Sequence, residues 1–356
     1  MVSKASAKKK ASTASKTPAT QSSTTKHATH SHGDQQTLLN IFSDAFANVL
    51  SSEQFPTLLQ EIKQALFNRD FGGAFGKEEY LEAYAARWSP TRALCYASVF
   101  CGVREYIDEL VSKSTHGNDD ESETADSSSS KDVASNDGVK MLCMGGCAAE
   151  HVAFASYLQQ TKHSGSLRLL DSAPWKHVTS LLQNQLTTAP PLSKYASAAA
   201  KASNSCLVEP SQLRVTFTQA NVLDLDGDGL SEQVGLEPVL VTLMFTLNEL
   251  YTEGGIGRTT KFLRNLGLVL PTGSLLLVVD SPGSYSEAAV GKEKKRYPMQ
   301  WLLNHTLMES ETPGYTWERL ESEDSVWFRL PEGLTYPIQL ENMRYQMHLY
   351  RIHKLT

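Results

Sequence analysis

No stretch of the 356-residue sequence approaches the ~18 uninterrupted apolar residues that a membrane-crossing helix needs. Residues 1–36 hold no apolar run at all, so no secretory signal is expected there. Cysteine is scarce. Cys95, Cys101, Cys143, Cys147 and Cys206 are too few and too irregularly spaced for a disulfide framework, and they suit a reducing compartment. The low-complexity repeats of a collagen or a coiled coil are missing too. With 40% apolar and 20% charged residues, the composition is that of a globular chain. Positive charge is in slight deficit: 33 Lys and Arg against 39 Asp and Glu, a net of −6.

The charge that is present is uneven. Residues 1–34 carry six lysines and one acid, a net of +5, which leaves −11 on the rest. Such a segment buries too little apolar surface to offset its ordering entropy, so residues 1–36 are expected to be a disordered basic tail. A nuclear address, a sequence-blind phosphate contact and a solubilising tail all fit it. Residues 112–138 read as an acidic low-complexity loop, with Asp119, Asp120, Glu121, Glu123, Asp126 and four consecutive serines. Residues 187–205, rich in Ala, Ser and Pro, read as a second loop insertion.

Between these segments the periodicity changes. Residues 37–111 are expected to form an all-helical N-terminal unit. Leu38, Phe42, Ala45 and Val49 fall on one helical face, and Leu58, Leu59, Ile62 and Leu66 continue the pattern. Two more helices, 77–87 and 91–111, are predicted on either side of Ser89-Pro90, where proline suits a helix start. From 139 to 356 short apolar runs alternate with helical stretches. Strands are predicted over 139–144, 167–170, 213–218, 238–245 and 274–279, followed by a terminal antiparallel pair over 326–330 and 343–352. Such alternation implies an α/β chain with a mostly parallel sheet covered on both faces. Five parallel strands followed by a hairpin give the class I methyltransferase form of the Rossmann-like fold, which binds S-adenosylmethionine and not a dinucleotide.

Ligands of open α/β sheets sit at the carboxyl ends of the strands, where strand order reverses. The first strand ends at Met144 and runs into Gly145-Gly146-Cys147-Ala148-Ala149-Glu150. Glycine there lets backbone approach a ligand closely. Asp171 ends the second strand and is placed to accept hydrogen bonds from ribose hydroxyls. Asn221 ends the third, within reach of an adenine edge. A pyrophosphate wants G-x-G-x-x-G and a helix start free of acid. This motif lacks the later glycines and places Glu150 at the helix start, which suits a ligand that carries a sulfonium and an ammonium and no phosphate. The cofactor-facing set is therefore Gly145, Gly146, Cys147, Glu150, Asp171, Asn221, Val222 and Phe245, with Cys147 read as a small packing residue. The stretch Asp224-Leu225-Asp226-Gly227-Asp228-Gly229 imitates half a calcium loop, but position 12 is Gly235. It reads as an acidic surface loop, and no metal site is expected.

Longer motifs carry a family resemblance. They are Asn68-Arg69-Asp70-Phe71, Ala74-Phe75-Gly76 and Tyr84-Ala85-Ala86-Arg87-Trp88-Ser89-Pro90-Thr91-Arg92-Ala93-Leu94 in the helical unit. Further on come Phe245-Thr246-Leu247-Asn248-Glu249-Leu250-Tyr251, Asp280-Ser281-Pro282-Gly283-Ser284-Tyr285 and Leu340-Glu341-Asn342-Met343-Arg344-Tyr345. Over about residues 37–356 the chain resembles the fungal family of S-adenosylmethionine-dependent methyltransferases that includes the 25S ribosomal RNA (uridine-N3) methyltransferase. It departs from the methyltransferase pattern at Cys147 and Ala149, where glycine is common. The resemblance implies methyl transfer to N3 of a uridine in 25S rRNA or a pre-ribosomal particle, by a monomer in the nucleus or nucleolus and also the cytoplasm. N3 carries a proton that must leave and lies on the pairing edge, so the base must be unpaired. Under that resemblance Asn248 holds a base carbonyl and Glu249 accepts the proton. Tyr251 and Tyr285 stack a flipped base, and Arg87, Trp88 and Arg92 close over the cofactor. Lys292, Lys294, Lys295 and Arg296 contact phosphate. An inactive ribosome-assembly protein of the same fold, a methyltransferase for a protein or a small molecule, and a nicotinamide-linked oxidoreductase remain the alternatives.

Overall fold

The computed structural model describes residues 30–114, 138–283, 285–290, 293–309 and 313–355. Most of the expected basic tail and acidic loop therefore lies outside the described residues. Helices occupy His32–Ala45, Ala47–Leu50, Phe55–Phe67, Phe71–Phe75, Glu78–Gly102 and Arg104–Ser114. The helical unit thus begins earlier than the predicted residue 37. Ser31 caps the first helix, its hydroxyl accepting from the Asp34 N–H while the Asp34 carboxylate accepts from the Ser31 N–H, a reciprocal capping box.

The parallel strands are β1 (Val139–Met144), β2 (Gly165–Asp171), β3 (Leu213–Gln219), β4 (Leu240–Met244) and β5 (Leu275–Asp280). A two-stranded hairpin follows, β6 (Tyr285–Val290) and β7 (Glu293–Pro298), and then the long antiparallel pair β8 (Tyr315–Phe328) and β9 (Met343–Lys354). The seven-stranded sheet has the order β3-β2-β1-β4-β5-β9-β8, so strand order reverses between β1 and β4. Apolar side chains bury one core on each face. One core joins Leu38, Phe42, Leu81 and Phe100 of the helical unit to Met141, Leu167, Leu277 and Leu349 of the sheet. The helical unit is therefore a layer over the sheet. The other core packs Leu142, Val241, Val278 and Tyr350 under the helices Gly227–Val234, Gly255–Val269 and Met299–Asn304.

The predicted helix break at Ser89-Pro90 is absent. A single helix runs from Glu78 to Gly102 with Pro90 inside it. An interior proline leaves the carbonyl of residue i−4 without its N–H partner. That carbonyl belongs to Ala86, and the Tyr336 hydroxyl donates to it at 2.7 Å. The helix is buried on nearly every side, so its sequence shows no amphipathic stripe. Tyr336→Phe is expected to lower stability by about 1–2 kcal/mol by stranding the buried acceptor, read as a lower midpoint in urea with an unchanged m-value.

The last strand pair also differs from expectation. A strand predicted over 326–330 spans Tyr315–Phe328. Its alternation is broken by irregularities at Arg319/Glu321 and Glu323/Val326, and its edge position allows exposed charges, so no apolar run marks it. The basic run at 294–296 lies on the hairpin β6–β7, with Ala289 opposite Lys294 and Glu287 opposite Arg296. The insertion at 187–205 holds one short helix, Ala198–Ala202, capped by Ser197.

Candidate active site

At the β1–β4 reversal the backbone takes two unusual conformations. Gly145 has φ +76°, and a Cβ there would sit 2.1 Å from Thr246 Cγ2. Glycine is required on both counts. The Thr246 hydroxyl donates to the Gly145 carbonyl at 2.5 Å, fastening the β1 turn to the β4 turn. Phe245 has φ +58°, strained for an aromatic residue, and its N–H donates to the Val279 carbonyl at 2.6 Å. Its ring supports the Arg92 guanidinium at 4.6 Å.

These turns open a crevice of about 380 Å³ at the carboxyl ends of β1, β2, β3 and β4, within the usual size of a small-ligand site. Gly145, Gly146, Cys147, Glu150, Asp171, Asn221, Val222 and Phe245 all line it, as do Arg92 and Glu249. Asp171 accepts from the Ala173 N–H at 2.8 Å, and Asn221 Oδ1 accepts from the Leu223 N–H at 3.0 Å. Both side chains are thereby held at the mouth of their strands. The wall opposite the sheet comes from the helical unit. Tyr84 meets Phe75 edge-on at 5.0 Å and lies 6.1 Å from Trp175, and its hydroxyl accepts from Arg92. Aromatic pairs of this geometry make a rigid apolar wall.

The crevice is acidic. Glu150, Asp171, Glu249 and Glu253 line it against Arg92 as the one cation among the described lining residues. Burial pushes Glu150 up to about 7, and the nearby Asp171 adds to the rise while Arg92 opposes it. Burial, with Asp171 adding, raises Glu249 to about 8. Burial also raises Asp171 to about 6, against the pull of the Ala173 N–H. Asp280, at the end of β5, is raised by burial to about 6, although it accepts from Ser281 and Asn248 N–H groups. Burial is the leading cause in each case, so a cation brought against these acids would favour their ionised forms.

A family model described as "Putative SAM-dependent methyltransferase" matches residues 42–351. The chain belongs to this family. The methyltransferase is 29% identical over 347 residues to the 25S rRNA (uridine(2843)-N(3))-methyltransferase of Saccharomyces cerevisiae, which covers 88% of this chain and 85% of that protein. Among solved structures, it is similar to a SAM-dependent methyltransferase from Methanosarcina mazei (11% identity, 60% of this chain and 91% of that one, TM-score 0.31). It is also similar to the N-methyltransferase NodS from Bradyrhizobium japonicum (13%, 70% and 94%, TM-score 0.30). Scores this low carry no weight. The Rossmann-like architecture rests on the strand order itself.

Several expected site residues stand elsewhere. Arg87 does not line the crevice; it pairs with Glu341 at 2.7 Å, joining the helical unit to the segment before β9. Asn248 is also outside the lining, and its N–H anchors Asp280 at 3.1 Å. Tyr251 is buried in the core on the far face of the sheet and presents no stacking surface. Tyr285 lies on β6 and Lys294, Lys295 and Arg296 on β7; their side chains, and Lys292 altogether, lie outside what the structure describes. The sequence reading missed Trp175 and Glu253. It met Phe71, Phe75, Tyr84 and Thr246 only within a motif. For Trp175 the available signal was its place four residues after Asp171, at the end of Ser172-Ala173-Pro174. The half calcium loop is used locally: Asp226 caps the helix Gly227–Val234 by accepting from Gly229 N–H at 2.8 Å, and Asp224 pairs with Arg258 at 2.5 Å.

The raised carboxyls make stability depend on pH with a definite sign. A glutamate whose folded-state pKa exceeds its unfolded value holds extra protons in the folded state, so stability falls as pH rises through the folded pKa. The buried His30, His151 and His348, all lowered by burial, act oppositely, but only below their ordinary value of 6.5. Between pH 7 and 8.5 the glutamates lead, and the thiols of Cys95, Cys143 and Cys147, raised by burial, add in the same direction toward the upper end. The Tm of the free protein is expected to fall over that interval, and S-adenosylmethionine, which favours the ionised acids, to reduce the fall. A Tm that rises over the same interval refutes the assignment.

Proposed function

We propose that the protein methylates N3 of a uridine in large-subunit ribosomal RNA, within a pre-ribosomal particle and as a monomer, in the nucleus or nucleolus. The observation that supports this reading is the acid-lined crevice, with Glu249 on its wall together with the aromatic side chains of Phe71, Phe75, Tyr84 and Trp175. The relative's name supplies the acceptor. S-adenosylmethionine, when bound, supplies a methyl group on a cationic sulfur. The chain's residues do the rest. Gly145 and Gly146 admit the ligand against backbone, Asp171 accepts from the ribose hydroxyls, and Asn221 and Val222 face the adenine. Arg92, fixed by Tyr84 and Phe245, keeps the wall in place and tempers the acids.

Glu249 is the general base in this reading. A pKa near neutrality is the best compromise between being ionised and accepting strongly, and a neighbouring cation lowers a carboxyl that stands at about 8 toward that point. Glu249 would accept the imide proton of N3, leaving the nitrogen's electron pair for the methyl group that S-adenosylmethionine would supply as its S–CH3 bond breaks and the sulfur keeps the pair as a neutral thioether. Asn248 positions Asp280 and touches no reacting atom. Among the described residues no helix is long and apolar enough to cross a membrane.

Two measurements test the reading. Transfer of label from S-adenosylmethionine is followed into ribosomal RNA, total protein and small metabolites. Modified nucleosides are mapped in ribosomal RNA from cells with and without the protein. Label in RNA and loss of one N3-methyluridine are expected; label confined to protein or metabolites rejects RNA.

A further inference from the structure

The strand pair β8–β9 overshoots the rest of the sheet at the crevice end. β5 ends at Asp280 opposite Gln346, while β8–β9 pairing continues to Phe328 and Met343. On this overhang Trp327 pairs across the strands with Arg344. The indole is 55% exposed. The guanidinium carbons of Arg329 and Arg344 lie 5.5 and 5.8 Å from its ring centroid, and both side chains are exposed. Arg344 Nε donates to the Ser325 hydroxyl at 2.6 Å, which fixes its fork beside the ring. Neither arginine forms an ion pair among the described residues.

A second exposed ring shares this side of the sheet. Trp301, 44% exposed, is stacked between Tyr297 at 5.3 Å and His305 at 4.9 Å. Gln300, its neighbour, bonds Asp324, which precedes Trp327 by three residues, or about 10 Å of strand. Glu323 and Asp324 border the patch, so its cationic part is confined to the overhang.

An exposed aromatic plane flanked by two guanidiniums matches a nucleotide, which offers a flat π-face and an anionic phosphate on each side. An acidic peptide offers the charge without the plane. We propose that Trp327, Arg329 and Arg344 form a docking point for an unpaired nucleotide of the RNA substrate. The base stacks on the Trp327 indole and the flanking phosphates pair with the arginines. This rests on the reading of the protein as an RNA methyltransferase and adds a contact well outside the crevice.

The test uses the full chain and a fluorescein-labelled single-stranded oligouridylate. Base–aromatic stacking contributes about 1–3 kcal/mol per base, so Trp327→Ala is expected to weaken binding roughly 5- to 100-fold, with Trp327→Phe close to the parent. Arg329→Ala with Arg344→Ala should flatten the dependence of log K on log salt by about 1.4, at 0.7 for each single-strand phosphate contact. Affinity for S-adenosylmethionine and Tm should stay at the parent values, since all three side chains are exposed. Parent-like RNA binding by Trp327→Ala overturns the proposal. So does parent-like RNA binding combined with lost binding to pre-ribosomal particles, which would mark a protein partner. Methyl transfer to ribosomal RNA by the parent is measured alongside. Transfer by the parent with Trp327→Ala unimpaired overturns this inference alone. A parent that neither binds nor methylates RNA overturns the functional reading and this inference with it.

Discussion

Glu249→Gln is expected to lower kcat by roughly 10²- to 10⁴-fold, the usual contribution of a positioned acid–base group, with affinity for S-adenosylmethionine changed only a few-fold. Glutamine preserves the size of the side chain and its place on the crevice wall. It cannot take the imide proton. The same variant should lose the acid limb of the kcat–pH profile, because the group whose pKa stands at about 8 in the free protein is gone. Steady-state kinetics over pH 6–9 read both effects, the pH bounds being roughly the span over which such a group titrates. A kcat within tenfold of the parent, or an intact acid limb, would move the base to another residue. If the variant instead raises KM for cofactor with kcat preserved, Glu249 only neutralises the ligand's charge.

Asp171→Ala is expected to reduce S-adenosylmethionine affinity by about 100-fold, the equivalent of two charge-assisted hydrogen bonds of about 1.5 kcal/mol each. The same change should leave the Tm of the free protein level or slightly higher at pH 8. The half-buried carboxyl is raised by desolvation to about 6, and its Ala173 N–H contact only partly offsets the penalty. Lost binding with retained stability separates a ligand-binding acid from a helix cap. A cap would show the reverse: a lower Tm with the affinity unchanged. Isothermal calorimetry and thermal unfolding on one preparation decide between them.

The parallel sheet was legible because its central strands are buried on both faces. Leu275–Asp280 is an apolar run closed by an acid, Val139–Met144 is apolar but for Lys140 and is followed by Gly145, and the structure places both strands within a residue of the expectation. The Gly145, Asp171 and Asn221 positions followed, since strand ends in an open α/β sheet must converge at the reversal. Elements that solvent touches on one side, or that no solvent touches, were less legible. The edge strand Tyr315–Phe328 is mostly exposed and irregular, so no period marks its first half. The helix Glu78–Gly102 is buried all round, so its proline outweighed its pattern in the sequence reading.

Residues along one strand or one turn are tied by covalent geometry, and for these the amino-acid order was enough: the fold class, and the glycines and acids at the ends of β1, β2 and β4 that line the crevice. What it could not decide was which distant groups meet. That Tyr336 serves the carbonyl left by Pro90, that Arg87 turns to Glu341 and away from the crevice, and that Tyr251 faces the far core are outcomes of packing. So is the wall that Phe75 and Tyr84 build opposite Asp171, from a helical layer docked across the sheet. Side-chain direction on a helix or sheet is set by which face finds apolar cover, and that cover exists only once the layers have closed on each other.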